Sequence, residues 1–163
     1  MDMGEIYDRY GLEVYRFLLR MSGDPVLSED ITQTTFLKAI EKIDTFKKQC
    51  SLKTWLCQIA KNEYLNLVKK AESRNVPLEE GKPEHAQTTA GVEEQLTHAE
   101  TAREIRAAVH RLKEPYKEVF LLRVYGELSF REIGEIFGKS EVWGRVTYLR
   151  SREKVAELWK KGM

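Results

Sequence analysis

Apolar residues recur along most of this chain at intervals of three and four, the spacing of one face of an α-helix. Between residues 5 and 21, Ile6, Tyr10, Val14, Phe17, Leu18 and Met21 fall on one such face. Gly23 and Pro25 interrupt the pattern. Ser28, followed by Glu29 and Asp30, then predicts the cap and acidic first turn of a second helix. Its buried stripe is expected from Ile31, Thr35, Phe36, Ala39, Ile40 and Ile43. The stretch "DTFKKQCS" reads as a loop. A third helix should start near Ser51 and run through Trp55, Leu56, Ile59, Ala60, Tyr64 and Leu67 to about Lys70.

The period is then lost over residues 72–92, which hold two prolines and two glycines. Helicity resumes near Val92, and one helix is expected to end near Leu112, before Pro115. A strongly apolar helix follows, with Tyr116, Val119, Phe120, Leu121, Leu122 and Val124, and Gly126 is expected to supply its C-terminal cap. Ser129 caps a short helix "FREIGEIFG", Gly138 ends it, and Ser140 opens the last one. No segment sustains the period-two alternation of a strand. The expected fold is all-α: two small helical domains joined by a flexible linker, the C-terminal one a helix-turn-helix. Their boundaries are placed at 1–71, 72–100 for the linker, and 101–163.

The 42% hydrophobic and 33% charged fractions fit a folded, water-exposed chain. No apolar run approaches the roughly 18 residues needed to span a bilayer. The acidic start "MDMGEIYDRYG" lacks the basic-then-apolar order of a secretion signal, so a cytoplasmic location is expected, without membrane insertion. Cys50 and Cys57 read as reduced thiols, and His85, His98 and His110 match no zinc spacing; neither metal nor cofactor is expected. The formal charge of +1 conceals its distribution. Residues 46–76 carry +5 (7 basic, 2 acidic), 77–104 carry −5 (2 and 7) and 136–163 carry +4 (7 and 3). Two basic blocks separated by an acidic one suggest two contacts with a polyanion.

The second basic block holds the helix-turn-helix pattern. Ile133, Ile136 and Phe137 would bury its first helix, Gly138 would permit the turn, and the second helix would present Ser140, Glu141, Trp143, Arg145, Thr147, Arg150 and Arg152 to a major groove. Arginine reads guanine edges bidentately, and both Arg and Lys neutralise phosphates. A basic surface helix at a chain end gives the same pattern. The first block, "FKKQCSLKTWLCQIAKNEYLNLVKK", mixes Lys47, Lys48, Lys53 and Lys61 with Trp55, Tyr64 and the amides of Gln58, Asn62 and Asn66. Unpaired bases are held by stacking, edge hydrogen bonds and backbone neutralisation, which this mixture provides. Trp55 and Leu56 also suit a plain core.

"SEDITQTTFLKAIEKIDTF" followed by "SLKTWLCQIAKNEYLNLVKK" resembles the promoter-melting domain of bacterial extracytoplasmic-function sigma factors. "LKEPYKEVFLLRVYGELSFREIGEIFG" resembles the second conserved unit of the same family. The resemblance implies docking on core RNA polymerase, with Asp30, Gln33 and Phe36 near the β′ clamp helices and a second contact to the β flap. It implies capture of the minus-ten strand by Lys47, Lys48, Lys53, Trp55, Lys61 and above all Asn62. The helix from Ser140 would read the minus-thirty-five duplex, and an anti-sigma factor would hold the protein inactive. Departures are Thr34 for a usual Glu, Asn66 for a frequent Asp, a loose match at Lys113–Glu114–Pro115, and "SEVWGRVTYLRSRE". In that last stretch Gly144 and Tyr148 fall on buried aliphatic positions, and Val142, Val146 and Leu149 are expected to form an altered buried stripe.

Two other classes compete. A free-standing helix-turn-helix regulator with an N-terminal dimerisation domain would bind a palindrome without polymerase. An enzyme would need a nucleophile–base pair, a metal cluster or a phosphate-binding loop, and no such set is evident; Glu79–Glu80 falls in the linker.

Overall fold

The computed structural model of the chain describes residues 2–46, 50–74 and 92–162, with the backbone alone for 92–97. Every regular element among the described residues is helical. The first unit is α1 (Met3–Ser22), α2 (Pro25–Lys42), a 3₁₀ turn at Ile43–Thr45, and α3 (Leu52–Ser73). The second is α4 (Val92–His110), α5 (Tyr116–Phe120) with a π-helical continuation at Leu121–Tyr125, α6 (Phe130–Phe137) and α7 (Glu141–Lys161).

Short polar residues start most of these helices, as N-terminal amides require. The Asp2 carboxylate accepts from the Glu5 amide at 2.9 Å, and Ser51 Oγ accepts from Thr54 at 3.1 Å. At α2 the expectation of a Ser28 cap fails. Asp24 caps the helix, accepting from the Leu27 amide at 3.1 Å, and Pro25 is its first residue. Proline's fixed φ and missing N–H suit that position, so the residue read as a breaker is a starter. Ser28 is buried one turn in and donates to the Asp24 carbonyl at 2.7 Å. Gly126 does end the π-helical turn, but in a right-handed conformation; the left-handed residue is Glu127, at φ 56°. Helix α4 begins at Val92, inside the span assigned to the linker, whose residues 75–91 lie outside the described ones.

Of the expected stripe of α1, Ile6, Val14, Phe17, Leu18 and Met21 are buried and Tyr10 is half-buried against them. In α2 the stripe is narrower: Ile31, Thr35, Phe36 and Ala39 are buried, whereas Ile40 is exposed. Leu56, Ile59, Ala60 and Tyr64 of α3 close this half. In the second unit Val109, Val119, Phe120, Leu121, Leu122, Leu128 and Ile133 are buried, and all these residues form one apolar core with those of the first. The two units are therefore packed on each other rather than merely tethered. Burial of each large side chain stabilises by roughly 1.5–3 kcal/mol, so a shared core is a substantial bond between units.

Polar contacts cross the same seam. Arg20 Nη1 donates to the Tyr125 carbonyl at 3.0 Å and lies 3.4 Å from the Glu127 carboxylate. Lys61 Nζ sits 3.3 Å from Glu118 Oε1, and Tyr64 Oη is hydrogen-bonded to His110 Nε2 at 2.9 Å. Thr54 Oγ1 donates to Glu132 Oε2 at 2.5 Å.

Candidate nucleic-acid interface

Helix α3 positions the first candidate set. Asn62 projects into solvent, while Lys61, one residue earlier, turns inward; its side chain is only 3% exposed. Burying an ammonium is costly unless it is paired, and the Glu118 carboxylate of α5 supplies the pair. At the start of α3, Trp55 is half-buried and packs on Phe46 with ring centroids 5.0 Å apart. Lys53 is half-exposed, 4.0 Å from Glu13. The α6 carboxylates reach this end of α3. Burial, then Glu135 and Glu132, raise the Cys50 thiol pKa. Burial pushes Cys57 up to about 12, leaving it an inert thiol.

Between α1 and α2 lies a groove lined by Met3, Tyr7, Asp8, Gln33, Phe36, Leu37 and Ile40. Phe36 is its floor, meeting Tyr7 edge-on at 5.0 Å, and Gln33 is an exposed rim residue. Leu37 is 63% exposed and Ile40 and Tyr7 about half so. These adjacent apolar groups are left uncovered around a formed groove.

In the second unit, Ser129 and Glu132 form a reciprocal capping box at the head of α6. Gly138 ends α6 at φ 65°, a left-handed turn that favours glycine, and Ser140 caps α7 by accepting from the Trp143 amide at 3.0 Å. This is helix-turn-helix geometry. Gly144 explains itself here. A Cβ at that position would stand 2.7 Å from the Phe130 carbonyl oxygen, so only glycine lets α7 cross α6 this closely. Tyr148 fills the neighbouring space, 6.2 Å from Phe120 and 5.7 Å from Phe130.

The family model described as Sigma-70 region 2 matches residues 6–74, and that described as Sigma-70, region 4 matches residues 102–155. The chain is 30% identical over 152 residues to the RNA polymerase sigma factor YlaC of Bacillus subtilis (strain 168), covering 91% of this chain and 86% of YlaC. It is 29% identical over 163 residues to the ECF RNA polymerase sigma factor SigM of the same strain, covering 100% and 98%. The chain belongs to the extracytoplasmic-function group of sigma-70 factors. It therefore has the sigma-factor role in transcription initiation. Two solved structures share the fold: the sigma factor RpoE with the anti-sigma factor NepR from Bartonella quintana, and CnrH with the cytosolic domain of CnrY. Their TM-scores are 0.62 and 0.63, at 21% and 20% identity. They cover 96% and 99% of this sigma factor, and 96% and 89% of their own chains.

Several site expectations for this sigma factor need correction. Lys61 is not on the open face of α3 with Asn62; it is part of the seam. Thr147 is 6% exposed and packs against the unit's interior, so it does not face a groove. Trp143 is half-buried on Phe137, with centroids 5.2 Å apart, and Ser140 is committed to capping. Glu141, Arg145, Arg150 and Arg152 are exposed as expected. The proposed stripe of Val142, Val146 and Leu149 is reversed. These residues point outward, and Gly144, Thr147, Ser151 and Val155 are buried instead. Lys47 and Lys48 lie outside the described residues. Asp30 and Gln33 are exposed on α2; Gln33 and Phe36 line the α1–α2 groove face, whereas Asp30 is not part of its lining. Tyr7, Leu37 and Ile40 were missed as members of that face. Leu37 lies outside the buried phase of α2, which was the available signal.

Among the described residues, no group of three or more His, Cys, Asp or Glu is placed to hold a metal ion. No described helix is long and apolar enough to cross a membrane.

Proposed function

We propose that this sigma factor docks on core RNA polymerase through the α1–α2 groove, with Asp30, Gln33 and Phe36 meeting the β′ clamp helices. A further contact joins the second unit to the β flap. The loop before α3 and the outer face of α3 take up the separated minus-ten strand, Asn62 making the base contact and Lys47, Lys48 and Lys53 neutralising its backbone. Helix α7 reads the minus-thirty-five element as duplex. Residues 1–71 and 101–163 act as the two functional domains, and 72–100 as their connection. The protein works without catalysis of its own, in the cytoplasm, where polymerase and DNA are.

One observation carries this reading: the two sigma-matching units present separate chemistries on separate faces, an apolar groove on α1–α2 and an arginine-bordered outer face on α7. Lys61 belongs to the strand-binding set only after the units part, because Glu118 holds it in the seam. Polymerase docking supplies that separation. An anti-sigma factor competing for the same surfaces would keep the units closed; anti-sigma complexes of RpoE and CnrH, which share the fold, favour such a partner.

The test is reconstituted transcription. Purified protein with core polymerase should give discrete transcripts from a subset of genomic promoters. Asn62→Ala should lower open-complex formation at least tenfold while core binding stays within twofold. Absence of any core binding overturns the reading, and a palindromic footprint without polymerase would replace it with a free-standing regulator.

A further inference from the structure

Val142, Val146 and Leu149 are spaced i, i+4 and i+7 on α7, so their side chains form one ridge. They are 59%, 38% and 46% exposed. The residues packed inward are Gly144, Thr147, Ser151 and Val155, which places the ridge at the centre of the outer face. By helical phase Glu141, Arg145 and Arg152 lie along one flank and Arg150 along the other, with Glu153 at the C-terminal end of the ridge. The arginines are thus off the midline of the face that a groove would receive. The aliphatic residues are on it.

We infer that Val142, Val146 and Leu149 select thymine in the upstream element, by packing on 5-methyl groups in the major groove. This rests on α7 being the duplex-reading helix. An aliphatic side chain offers no hydrogen bond, so it cannot satisfy the polar edges of adenine, guanine or cytosine. The thymine methyl is the apolar group that the major groove presents. Arg145, Arg150 and Arg152 then reach outward from the ridge, to phosphates or to guanines at its margins. Three arginines bordering the ridge favour a polyanionic occupant over an apolar helix of another protein. The upstream element should accordingly hold T·A pairs where the ridge lies, with any G·C pairs at its edges.

The experiment uses the full chain bound to core RNA polymerase. Promoter duplexes are selected by that complex from a library randomised upstream, and each conserved upstream thymine is then replaced by deoxyuridine, which removes the methyl alone. Affinity should fall about fourfold for each thymine under the ridge, the loss expected for one buried carbon. Val146→Ala should bind the thymine duplex more weakly and distinguish uracil from thymine less than twofold. Val142→Ala serves as a second variant at another position. Both sites are exposed, so circular dichroism should show an unchanged fold. If every deoxyuridine duplex binds as tightly as its parent while Arg145→Ala still weakens binding, the ridge does not read bases, although α7 does contact DNA. If Arg145→Ala and Val146→Ala both bind as the unsubstituted chain does, the duplex-reading assignment of α7 falls as well. Loss of core binding by Val146→Ala, with thymine discrimination intact, would assign the ridge to a protein contact instead.

Discussion

Helices α3 and α7 carry the two basic segments of this sigma factor, and they use their charge in opposite ways. On α7, Arg145, Arg150 and Arg152 stand in solvent around an aliphatic ridge. On α3, Lys61 is folded into the seam between units and meets Glu118, while Asn62 beside it stays outside. The difference follows from what each helix packs against. Helix α7 crosses α6 closely at Gly144, buries the small Ser151 on the same inward side, and leaves a whole face free. Helix α3 is covered on one side by α1 and α2 and touches the second unit on another. A basic helix is therefore a nucleic-acid face only on the side its own fold leaves uncovered.

The sharpest way to break this contrast is at the buried pair. Glu118→Ala leaves the Lys61 ammonium in the seam without its carboxylate, which should cost on the order of 3 kcal/mol. Urea unfolding would show it as a lowered midpoint. Lys61→Met keeps the volume and removes the charge; the Glu118 carboxylate it leaves unpaired is 27% exposed and reaches water, so the loss should be smaller than for Glu118→Ala. The same Met variant separates the two roles of Lys61. Normal stability with reduced promoter opening means that the ammonium also serves the strand after the units part. Normal stability with normal opening confines it to the seam.

What could be read from the chain divides along the same line. Most helix positions, the helix starts at Ser51 and Ser140, the cap at Ser129 and the turn at Gly138 were legible, because each depends on residues within one turn of itself. The apolar face of α1 was legible for the same reason. Lys61 was not, since its partner is 57 positions away and no local period marks a residue that faces another unit. The ridge on α7 was misread because aliphatic residues at helical spacing ordinarily signal a core. Here the core phase is taken by Gly144, Thr147, Ser151 and Val155, and close backbone approach replaces side-chain bulk. Gly144 on an expected aliphatic position was the clue that the phase had shifted.

That shift can be tested directly. Gly144→Ala should gain about 1 kcal/mol in helix propensity. Its new methyl, however, meets the Phe130 carbonyl at 2.7 Å, and backbone cannot step aside as a flexible side chain does. Overpacking of this kind typically costs 1–3 kcal/mol, so the net expectation is a loss of about 1 kcal/mol. The consequence should be local: weaker binding of upstream duplex, with polymerase docking through the α1–α2 groove retained. A stabilised Gly144→Ala protein with unchanged duplex affinity would show that α6 and α7 do not cross this closely.

The smallest expected effect lies at the end of α3 that α6 covers. Burial disfavours the charged form of Glu132, but hydrogen bonds from Thr54 and Ser129, with Lys53 nearby, outweigh it and hold this carboxyl below its usual range. In the unfolded chain a glutamate titrates near about 4.3. Ionised Glu132 therefore stabilises the fold at neutral pH, and that contribution fades as pH falls from about 5 through the lower folded value. Glu114 works the other way: burial and then Glu118 raise it, so its protonation on acidification favours the fold. Water screens both partly exposed groups, which keeps the effects small. Urea midpoints between pH 7 and 4 should fall less steeply for Glu132→Gln than for the unsubstituted chain, and more steeply for Glu114→Gln. Parallel curves for Glu132→Gln and the unsubstituted protein would mean that the Thr54–Glu132 bond adds nothing to closure, leaving the shared core and the contacts of Arg20, Lys61 and Tyr64 to hold the units together.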